Sequence, residues 1–172
     1  ILKKPKKVRV HKKSYWGCWR VADTLNVVVD GFRLDYGVGG IHGSLENKIV
    51  KTNNTWLIVD QDVSSFYPNM AISNRIYPEH LGEIFCDIYQ DVYQQRKKYP
   101  KGSAENAMMK LALNSVYGDS NNKYSVFYDP KYTMNITIGG QLTLSMLIDM
   151  YLTSEIGFKM VMANTDGITF CV

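Results

Sequence analysis

The stretch that decides the fold is Asp60-Gln-Asp-Val-Ser-Ser-Phe-Tyr-Pro68. It follows Thr55-Trp-Leu-Ile-Val59, a run of β-branched, aromatic and apolar residues that is typical of a buried strand. A carboxylate at the end of a strand can bind Mg²⁺, and backbone N–H groups at the start of the next helix can bind phosphate. Asp and Ser are also favoured helix caps. The stretch alone therefore leaves a binding role and a capping role open.

Length and composition describe an ordinary globular chain. With 172 residues, 45% hydrophobic and 21% charged, it can bury one core and a small appendage. Its 3 cysteines are scattered, which favours reduced intracellular thiols over a zinc site or a disulfide framework. We predict no secretory signal, and no transmembrane helix because the apolar segment 142–152 is short and contains Asp149. We therefore expect an intracellular, cytoplasmic protein without a membrane partner.

Positive charge is concentrated at one end of the chain. Residues 1–13 carry seven Lys or Arg and no acid, which leaves 13 basic against 16 acidic residues elsewhere. A basic arm on a slightly acidic body fits contact with nucleic-acid phosphates. A solvated tail has the same composition, so the arm is supporting evidence only.

The order of the predicted elements indicates an α+β fold. Strands are predicted over 24–36 with a turn at Gly31, over 55–59, over 124–128, over 158–163 and over 168–172. Helices are predicted over 64–73, 78–99, 103–118 and 136–154. The second and third helices are joined by a Pro-Lys-Gly loop and should form an antiparallel hairpin. The last two strands flank Asn164-Thr-Asp-Gly167, a strong hairpin signal.

Three segments carry side chains suited to one chemistry. They are Asp62 near the strand end, Asp166 in the predicted hairpin turn, and the helix with Lys110 and Asn114. Asp62 and Asp166 are 104 residues apart in sequence, so only the fold could bring them together. Two such carboxylates suit a pair of Mg²⁺ ions that clamp an in-line displacement at phosphorus. Lys110 would neutralise a triphosphate as a point charge.

These segments, in this order, resemble the palm and fingers of family B DNA polymerases. Asp62-Val-Ser-Ser-Phe-Tyr-Pro68 resembles the first motif, D-x-x-S-L-Y-P, with Phe in place of Leu. Lys110-Leu-Ala-Leu-Asn-Ser-Val-Tyr-Gly118 matches the second, K-x-x-x-N-S-x-Y-G, at every fixed position. Asn164-Thr-Asp-Gly167 resembles the third, D-T-D-S, and Thr137-Ile-Gly-Gly-Gln141 more weakly resembles T-x-x-G-R. The matches span nearly the whole chain.

The resemblance implies a polymerase palm with an antiparallel sheet plus a two-helix fingers hairpin. It divides the chain into the basic arm and first part of the palm (1–78), the fingers (79–118) and the rest of the palm (119–172). The exonuclease and thumb of the family do not match this chain, so we expect a piece of a larger polymerase that is not necessarily active alone. The implied function is template-directed addition of deoxynucleotides to a primer 3′-hydroxyl in DNA replication.

The resemblance also implies the partners. They are primer–template DNA, deoxynucleoside triphosphates and the rest of the polymerase chain. Gly39-Gly40 resembles the Tyr-x-Gly-Gly segment of protein-primed phage polymerases, although Tyr36 is one residue too distant. A terminal protein primer, and the cytoplasm of a host cell if the source is viral, are expectations of this weaker likeness.

Each matched residue has an implied role. Asp62 and Asp166 would be catalytic and would bind two Mg²⁺ ions, with the carbonyl of Val63 as a further ligand. Tyr67 would pack under the incoming sugar and exclude a 2′-hydroxyl. The residues implied to bind the nucleotide are Ser65, Phe66, Tyr67, Arg96, Lys110, Asn114 and Tyr117. Those implied to lie along the DNA are Gly39, Gly40, Gly118 and Thr137.

The resemblance also implies a second cation at the triphosphate, from the first helix of the fingers hairpin. Arg96, Lys97 and Lys98 all qualify, and Arg96 is favoured without excluding the others. The structural alternative for Lys110 is solvation on a helix surface, which is the ordinary state of lysine.

Two positions depart from the third motif. Asn164 replaces the first Asp and Gly167 replaces Ser, while the second Asp is present as Asp166. We expect metal binding to be kept with one less negative charge. Asp60 and His42 lie outside the motif register, and we expect structural hydrogen bonds from them.

Two rival functions follow from the same residues. A non-catalytic or degenerate nucleic-acid-binding fragment is favoured by Asn164 and by the unmatched thumb. An RNA polymerase or reverse transcriptase is disfavoured, because Tyr67 would exclude ribonucleotides and no Tyr-x-Asp-Asp pair occurs.

Overall fold

A computed structural model describes residues 24–172, and the basic arm at residues 1–13 lies outside this range. The described residues form six strands and four α-helices. The strands are β1 Leu25–Val29, β2 Phe32–Gly37, β3 Gly40–Ser44, β4 Ile58–Asp62, β5 Lys159–Asn164 and β6 Gly167–Cys171. The helices are α1 Phe66–Ser73, α2 Ile84–Lys97, α3 Ala104–Asp119 and α4 Pro130–Leu152, with a short 3₁₀ turn at Glu79–Leu81. The α+β prediction is confirmed.

The described residues divide into two compact units. The sheet unit contains residues 24–61 and 148–172, and the helical unit contains residues 62–147. This division differs from the boundaries that the resemblance implies, because the chain leaves the sheet unit near β4 and returns to it within α4. The assignment of 1–78, 79–118 and 119–172 to palm and fingers stays a prediction.

The strands form one sheet in the order β1-β2-β3-β5-β6-β4. Neighbours from β1 to β6 pair antiparallel, and the predicted hairpin of the last two strands is confirmed by pairing of Asn164 with Gly167. The β1–β2 hairpin turns at Asp30 and Gly31, whose φ angles of 48° and 77° are both left-handed. Such a two-residue turn matches the twist of the strands it joins. Tight turns thus join β1 to β2, β2 to β3 and β5 to β6, whereas the β3–β5 and β6–β4 neighbours are distant in sequence.

The helical unit has its own core around the α2–α3 hairpin. The hydroxyl of Tyr89 donates to the carbonyl of Leu113, and Arg96 bonds Asn106 nearer the loop. The two pairings keep α2 and α3 antiparallel, as predicted for the hairpin. Eight buried residues form this core: Ala71, Phe85, Cys86, Tyr89, Leu113, Val116, Tyr132 and Ile136.

The buried face of α2 follows the apolar spacing only in part. That spacing marks Leu81, Ile84, Phe85, Ile88 and Val92. Phe85 is in the core and Leu81 and Val92 pack against it, whereas Ile84 and Ile88 are 66% and 59% exposed. Tyr89, which the spacing does not mark, is buried because its hydroxyl has a buried carbonyl partner. The spacing therefore locates the helix and part of its buried face.

Two predicted strands are wrong in position or in type. The strand expected over 55–59 begins at Ile58, because Asn53 Oδ1 accepts the N–H groups of Thr55 and Trp56 and folds them into a turn. The segment 124–128 is not a strand. There Asn122 and Ser125 bond backbone N–H groups two residues further on and close successive turns.

Helix α4 begins at Pro130, six residues before the predicted start. Asp129 Oδ1 accepts the N–H groups of Lys131 and Tyr132, which makes Asp129 the cap and Pro130 the first helical residue. Asp129 Oδ2 accepts the N–H of Glu79 and so also joins α4 to the 3₁₀ turn. Burial alone would raise the pKa of Asp129, but these three donors lower it below its ordinary value of 3.8.

Replacing Asp129 by Ala is expected to lower the free energy of unfolding of the helical unit by about 1–2 kcal/mol, because α4 loses its cap. The folded-state pKa is lowered, so the carboxylate stabilises the protein above its unfolded pKa of about 4. That contribution is lost as the pH falls through the lowered folded value. Urea denaturation of wild type and variant across the acid range measures both effects.

Asp129→Asn is the matched control, since its amide oxygen can keep the cap without a titrating proton, although its amide nitrogen cannot accept the N–H of Glu79. It should be more stable than Asp129→Ala and lose the pH dependence. A difference between wild type and Asp129→Ala that stays constant across the acid range would contradict the assignment.

Candidate functional site

The first motif turns sharply between β4 and α1. Ser65 precedes α1 and has φ 50° and ψ 49°, a left-handed conformation that costs a non-glycine residue about 1–2 kcal/mol. Its side chain makes no capping bond to the helix. Asn69 Nδ2 instead donates to the carbonyl of Ser64 at 2.8 Å and holds the turn from inside the helix. The strained turn leaves the hydroxyl of Ser65 for another partner.

The interpretation of Asp60 or Asp62 as the cap of the following helix is wrong. The cap position of α1 belongs to Ser65, three residues beyond Asp62. Asp60 Oδ1 accepts the hydroxyl of Thr169 at 2.6 Å within the sheet unit. The expected structural role of Asp60 therefore has a defined partner, and Asp62 is an exposed carboxylate at the end of β4.

Arg96 is the cation of α2 that reaches the first motif. Its Nη1 donates to Ser65 Oγ at 3.0 Å. Lys97 Nζ lies 4.2 Å from the centre of the Tyr93 ring, and Lys98 is the exposed residue that follows α2. Of the three candidates, Arg96 is thus the one in contact with a predicted phosphate-binding residue.

Three of the matched motifs meet inside the helical unit. The rings of Tyr67 and Tyr117 are 4.2 Å apart between centres, which joins the first motif to the second. The hydroxyls of Tyr117 and Thr137 are 2.7 Å apart, which joins the second motif to the T-x-x-G-R-like segment. Thr137 Oγ1 also donates to the carbonyl of Thr133, so the Tyr117 hydroxyl must be the donor to Thr137.

Gly140 completes this junction because a side chain there would collide with it. A Cβ at Gly140 would lie 3.1 Å from a ring carbon of Phe66 and 3.5 Å from one of Tyr67. Phe66 is buried and stacks on Tyr67 with 5.8 Å between ring centres. The close approach of α4 to α1 therefore fixes the Tyr67 ring from a second side.

The remaining residues of the second motif lie on the surface of α3. Lys110, Asn114 and Gly118 are exposed and follow one another at four-residue spacing, so they share one face of the helix. Arg96, Tyr67 and Tyr117 belong to the same helical unit. None of the contacts described above involves the exposed face of α3 that carries Lys110. Its place in the site stays a prediction.

In the sheet unit, the third motif forms the β5–β6 turn against Gly40. Thr165 has φ 45°, and its N–H donates to the carbonyl of Ile41 at 2.8 Å. A Cβ at Gly40, whose own φ is 139°, would lie 3.3 Å from Thr165 Cα. The turn that carries Asp166 is thus packed directly on Gly40, whereas Gly39 is exposed.

Asn164 is already a hydrogen-bond partner of its neighbour strand. His42 lies opposite Asn164 in the β3–β5 register, and His42 Nδ1 is 3.1 Å from Asn164 Oδ1. Because an amide oxygen only accepts, His42 Nδ1 carries the proton. His42 thus makes a structural hydrogen bond, as expected, but to a partner 122 residues away, and the bond uses one acceptor site of the residue that departs from the third motif.

The donor atoms of the predicted metal ligands suit Mg²⁺. Two carboxylates and a backbone carbonyl, from Asp62, Asp166 and Val63, are all hard oxygen donors. Within residues 24–172, no cluster of three or more His, Cys, Asp or Glu side chains could hold a metal ion. A site here would therefore depend on the two acids plus non-acidic oxygens. Asp62 belongs to the helical unit and Asp166 to the sheet unit, so their joint action stays a prediction.

Asn106 is the residue of this region that sequence reasoning missed. It is 8% exposed, and its side chain bonds the guanidinium of Arg96 and the carbonyls of Arg96 and Tyr99. The available signal was Asn at the third position after the cap Ser103, where a side chain often bonds back to the helix start.

Of the comparisons with known proteins, the comparison with solved structures finds a similarity. No protein-family model matches the chain, and no curated protein matches it. Among solved structures, it is similar to the family B DNA polymerase from the hyperthermophilic archaeon Pyrobaculum calidifontis, with 15% identity and a TM-score of 0.45. The likeness covers 67% of this chain and 20% of that polymerase chain, and it indicates only a distant structural relationship.

None of the described helices is both long enough and apolar enough to cross a membrane.

Replacing Gly40 by Ala is expected to destabilise the sheet unit by about 1–3 kcal/mol, because the new methyl group meets Thr165 and the backbone is strained. Gly39→Ala is the matched control, since a Cβ there meets nothing within 4 Å. Urea denaturation gives the stability, and amide exchange at Thr165 reports the turn itself. Equal effects of the two substitutions would contradict the close packing of Gly40 on the turn.

Proposed function

We propose that this chain is the palm and fingers part of a template-directed, family B-like DNA polymerase. The observation that carries the proposal is the junction of Tyr67, Tyr117 and Thr137, which unites residues from three separately matched motifs in one cluster. Residues that are distant in sequence thus meet beside the core of the helical unit, which supports the roles that the motifs imply. The reaction is addition of a deoxynucleotide to a primer 3′-hydroxyl with release of pyrophosphate.

The nucleotide would be bound on the helical unit. Arg96 and Lys110 would contact the triphosphate, with Arg96 already beside Ser65. Backbone amides near Ser65 and Phe66 would hold the outer phosphates, at the start of α1. Asn114 and the second-motif tyrosine would border the new base pair. The cation contact to Ser65 supports this arrangement, because both groups then face one anion.

Asp62 and Asp166 would hold two Mg²⁺ ions, with the carbonyl of Val63 as a further ligand. What supports each ligand separately is its setting: Asp62 stands at the end of β4, and Asp166 stands in the β5–β6 turn. When bound, Mg²⁺ supplies charge neutralisation and activates an oxygen nucleophile. The chain's own contribution is to present oxygen donors from a strand end and from a tight turn.

The template would run along small and polar residues. Gly39 in the sheet unit and Gly118 in the helical unit are exposed and are the proposed direct DNA contacts. Gly40 and Thr137 are buried, so their place along the DNA is proposed from the motifs alone. Primer–template DNA, deoxynucleoside triphosphates, the rest of the polymerase and a terminal protein primer are the proposed partners. The structural likeness spans 20% of the archaeal polymerase chain, so the activity of a whole polymerase is part of the proposal.

A second candidate function is nucleic-acid binding without catalysis. The observation that favours it is the hydrogen bond between His42 Nδ1 and Asn164 Oδ1, because a neutral amide oxygen that already accepts a bond is a weaker metal ligand than the carboxylate of the motif. Tyr67, Arg96 and Asp166 are nevertheless all present, and a binding module would not need a sugar-excluding tyrosine.

Replacing Asp62 or Asp166 by Asn is expected to lower the rate of primer extension by more than about 100-fold, because each loses a charged metal ligand. The measurement is single-nucleotide incorporation on a primer–template by the intact protein with Mg²⁺. DNA binding should change little.

Asp60→Asn is the matched control, with the same chemical change two residues earlier in β4. Asp60 accepts a bond from Thr169, which an amide oxygen can also accept, so extension should persist. If Asp62→Asn and Asp166→Asn extend primers within a few-fold of wild type, the two-metal assignment is wrong. If wild type binds DNA and never extends it, the binding-module alternative holds.

Replacing Tyr67 by Ala is expected to reduce the preference for deoxynucleotides over ribonucleotides by about 10-fold or more, because the ring that would meet a 2′-hydroxyl is removed. The ratio of kcat/KM for the two substrates measures it. Tyr67→Phe keeps the ring against Tyr117 and should retain the preference. An unchanged ratio in Tyr67→Ala would remove this residue from sugar selection.

A further inference from the structure

The buried side-chain amide of Asn106 connects the end of α2 to the start of α3. Its Nδ2 donates to the carbonyls of Arg96 and Tyr99, each at 3.1 Å. Its backbone N–H donates to Ser103 Oγ, the cap of α3. The side chain is 8% exposed, so these bonds form away from water, where an unmade bond is costly. The amide therefore fixes the end of α2 on the start of α3.

The same amide also contacts the guanidinium of Arg96. Arg96 Nε donates to Asn106 Oδ1 at 3.3 Å while Arg96 Nη1 donates to Ser65 Oγ at 3.0 Å. These two bonds restrain the planar group at two of its five N–H donors. Asn106 thus holds both the backbone and the side chain of Arg96.

We propose that Asn106 is a positioning residue that aims Arg96 at a polyphosphate. The inference rests on the proposed function in one respect, namely that Ser65 and Arg96 face the triphosphate of the nucleotide. Asn106 does not touch the substrate itself. It orients the cation before the anion arrives, which removes an ordering cost from binding.

A neutral amide suits this role better than a carboxylate. Asn106 Oδ1 accepts from Arg96 without cancelling its charge, so the full attraction for phosphate is kept. Asp at the same position would form an ion pair with Arg96 and compete with the ligand. It would also set a negative oxygen against the two carbonyls that Asn106 Nδ2 now satisfies.

The two lysines after Arg96 have no such restraint. Lys97 lies over the Tyr93 ring and Lys98 is exposed at the end of α2. Neither bonds the buried amide in the described contacts. Specific recognition should therefore reside in Arg96, and Asn106 should act only through it.

The test measures the affinity of the full chain for Mg²⁺-dATP and for inorganic tripolyphosphate by calorimetry. Asn106→Ala and Arg96→Ala should each weaken binding of both ligands by about 5- to 20-fold, the range of a lost oriented charge-assisted bond. The double substitution Arg96→Ala with Asn106→Ala should bind no more weakly than Arg96→Ala, because Asn106 acts through Arg96.

Two further variants separate positioning from folding. Ser103→Ala removes the cap of α3 and leaves the Asn106 amide intact, so it should lower stability without changing either affinity. Arg96→Lys keeps the charge but lacks the Nε–H that Asn106 orients, so it should weaken binding as Asn106→Ala does. Because Arg96 is only half-buried, this variant is expected to fold even if Asn106→Ala does not.

The outcomes distinguish this inference from the proposed function. Full affinity in Asn106→Ala or Arg96→Lys, additive losses in the double variant, or no polyphosphate binding by wild type would each overturn it. The expected pattern of affinities in a protein that never extends a primer would support it and contradict the polymerase activity. Normal primer extension with an unchanged KM for dATP in Asn106→Ala would support the polymerase activity and contradict the positioning role of Asn106.

Discussion

The geometry of the helical part of the site depends on one strained turn. Between β4 and α1 the chain has three residues, and Ser65 adopts a left-handed conformation directly before the helix. Its hydroxyl does not cap α1 and instead accepts from Arg96. Two residues further on, the Tyr67 ring contacts Tyr117. Strain of this kind persists only where surrounding contacts stabilise it.

A second set of contacts, hydrogen bonds between side-chain hydroxyls, joins α3 to α4. Tyr117 bonds Thr137, and Ser120 bonds Thr133 one turn away along the same pair of helices. Burial raises the pKa of Tyr89 and of Tyr132, so both phenols stay protonated and available as donors. In the described residues no buried side-chain polar atom lacks a partner. Fully satisfied polar contacts of this type specify one packing of α3 on α4 more sharply than apolar surfaces do.

Much of the fold could be predicted because its signals are local. The N-x-D-G turn gives the β5–β6 hairpin and Ser103 gives the start of α3, since each acts on residues next to it. The errors arise where a side chain bonds at short range in a way that composition does not reveal, as Asn53 does before β4. The buried face of α2 depends on the partner of Tyr89, which lies 24 residues away.

The candidate site likewise contains residues that the sequence predicts and residues that it does not. Motif spacing identifies Tyr67, Tyr117 and Thr137, which the structure brings together, because each motif is short and ordered along the chain. It could not identify Asn106, whose importance comes from a loop closure, nor the bond of His42 to Asn164, which depends on strand register. Long-range pairing of this kind is set by the whole fold and leaves no trace in a single stretch.

The two buried thiols have a practical consequence. Cys86 lies in the helical unit, where burial raises the pKa of its thiol, and Cys171 lies in the core of the sheet unit. A buried thiol is protected from alkylation until the segment around it opens. Each unit thus carries its own chemical reporter, while Cys18 lies outside the described residues. Modification of Cys86 and Cys171, followed separately, distinguishes opening of one unit from opening of the other without any engineered label.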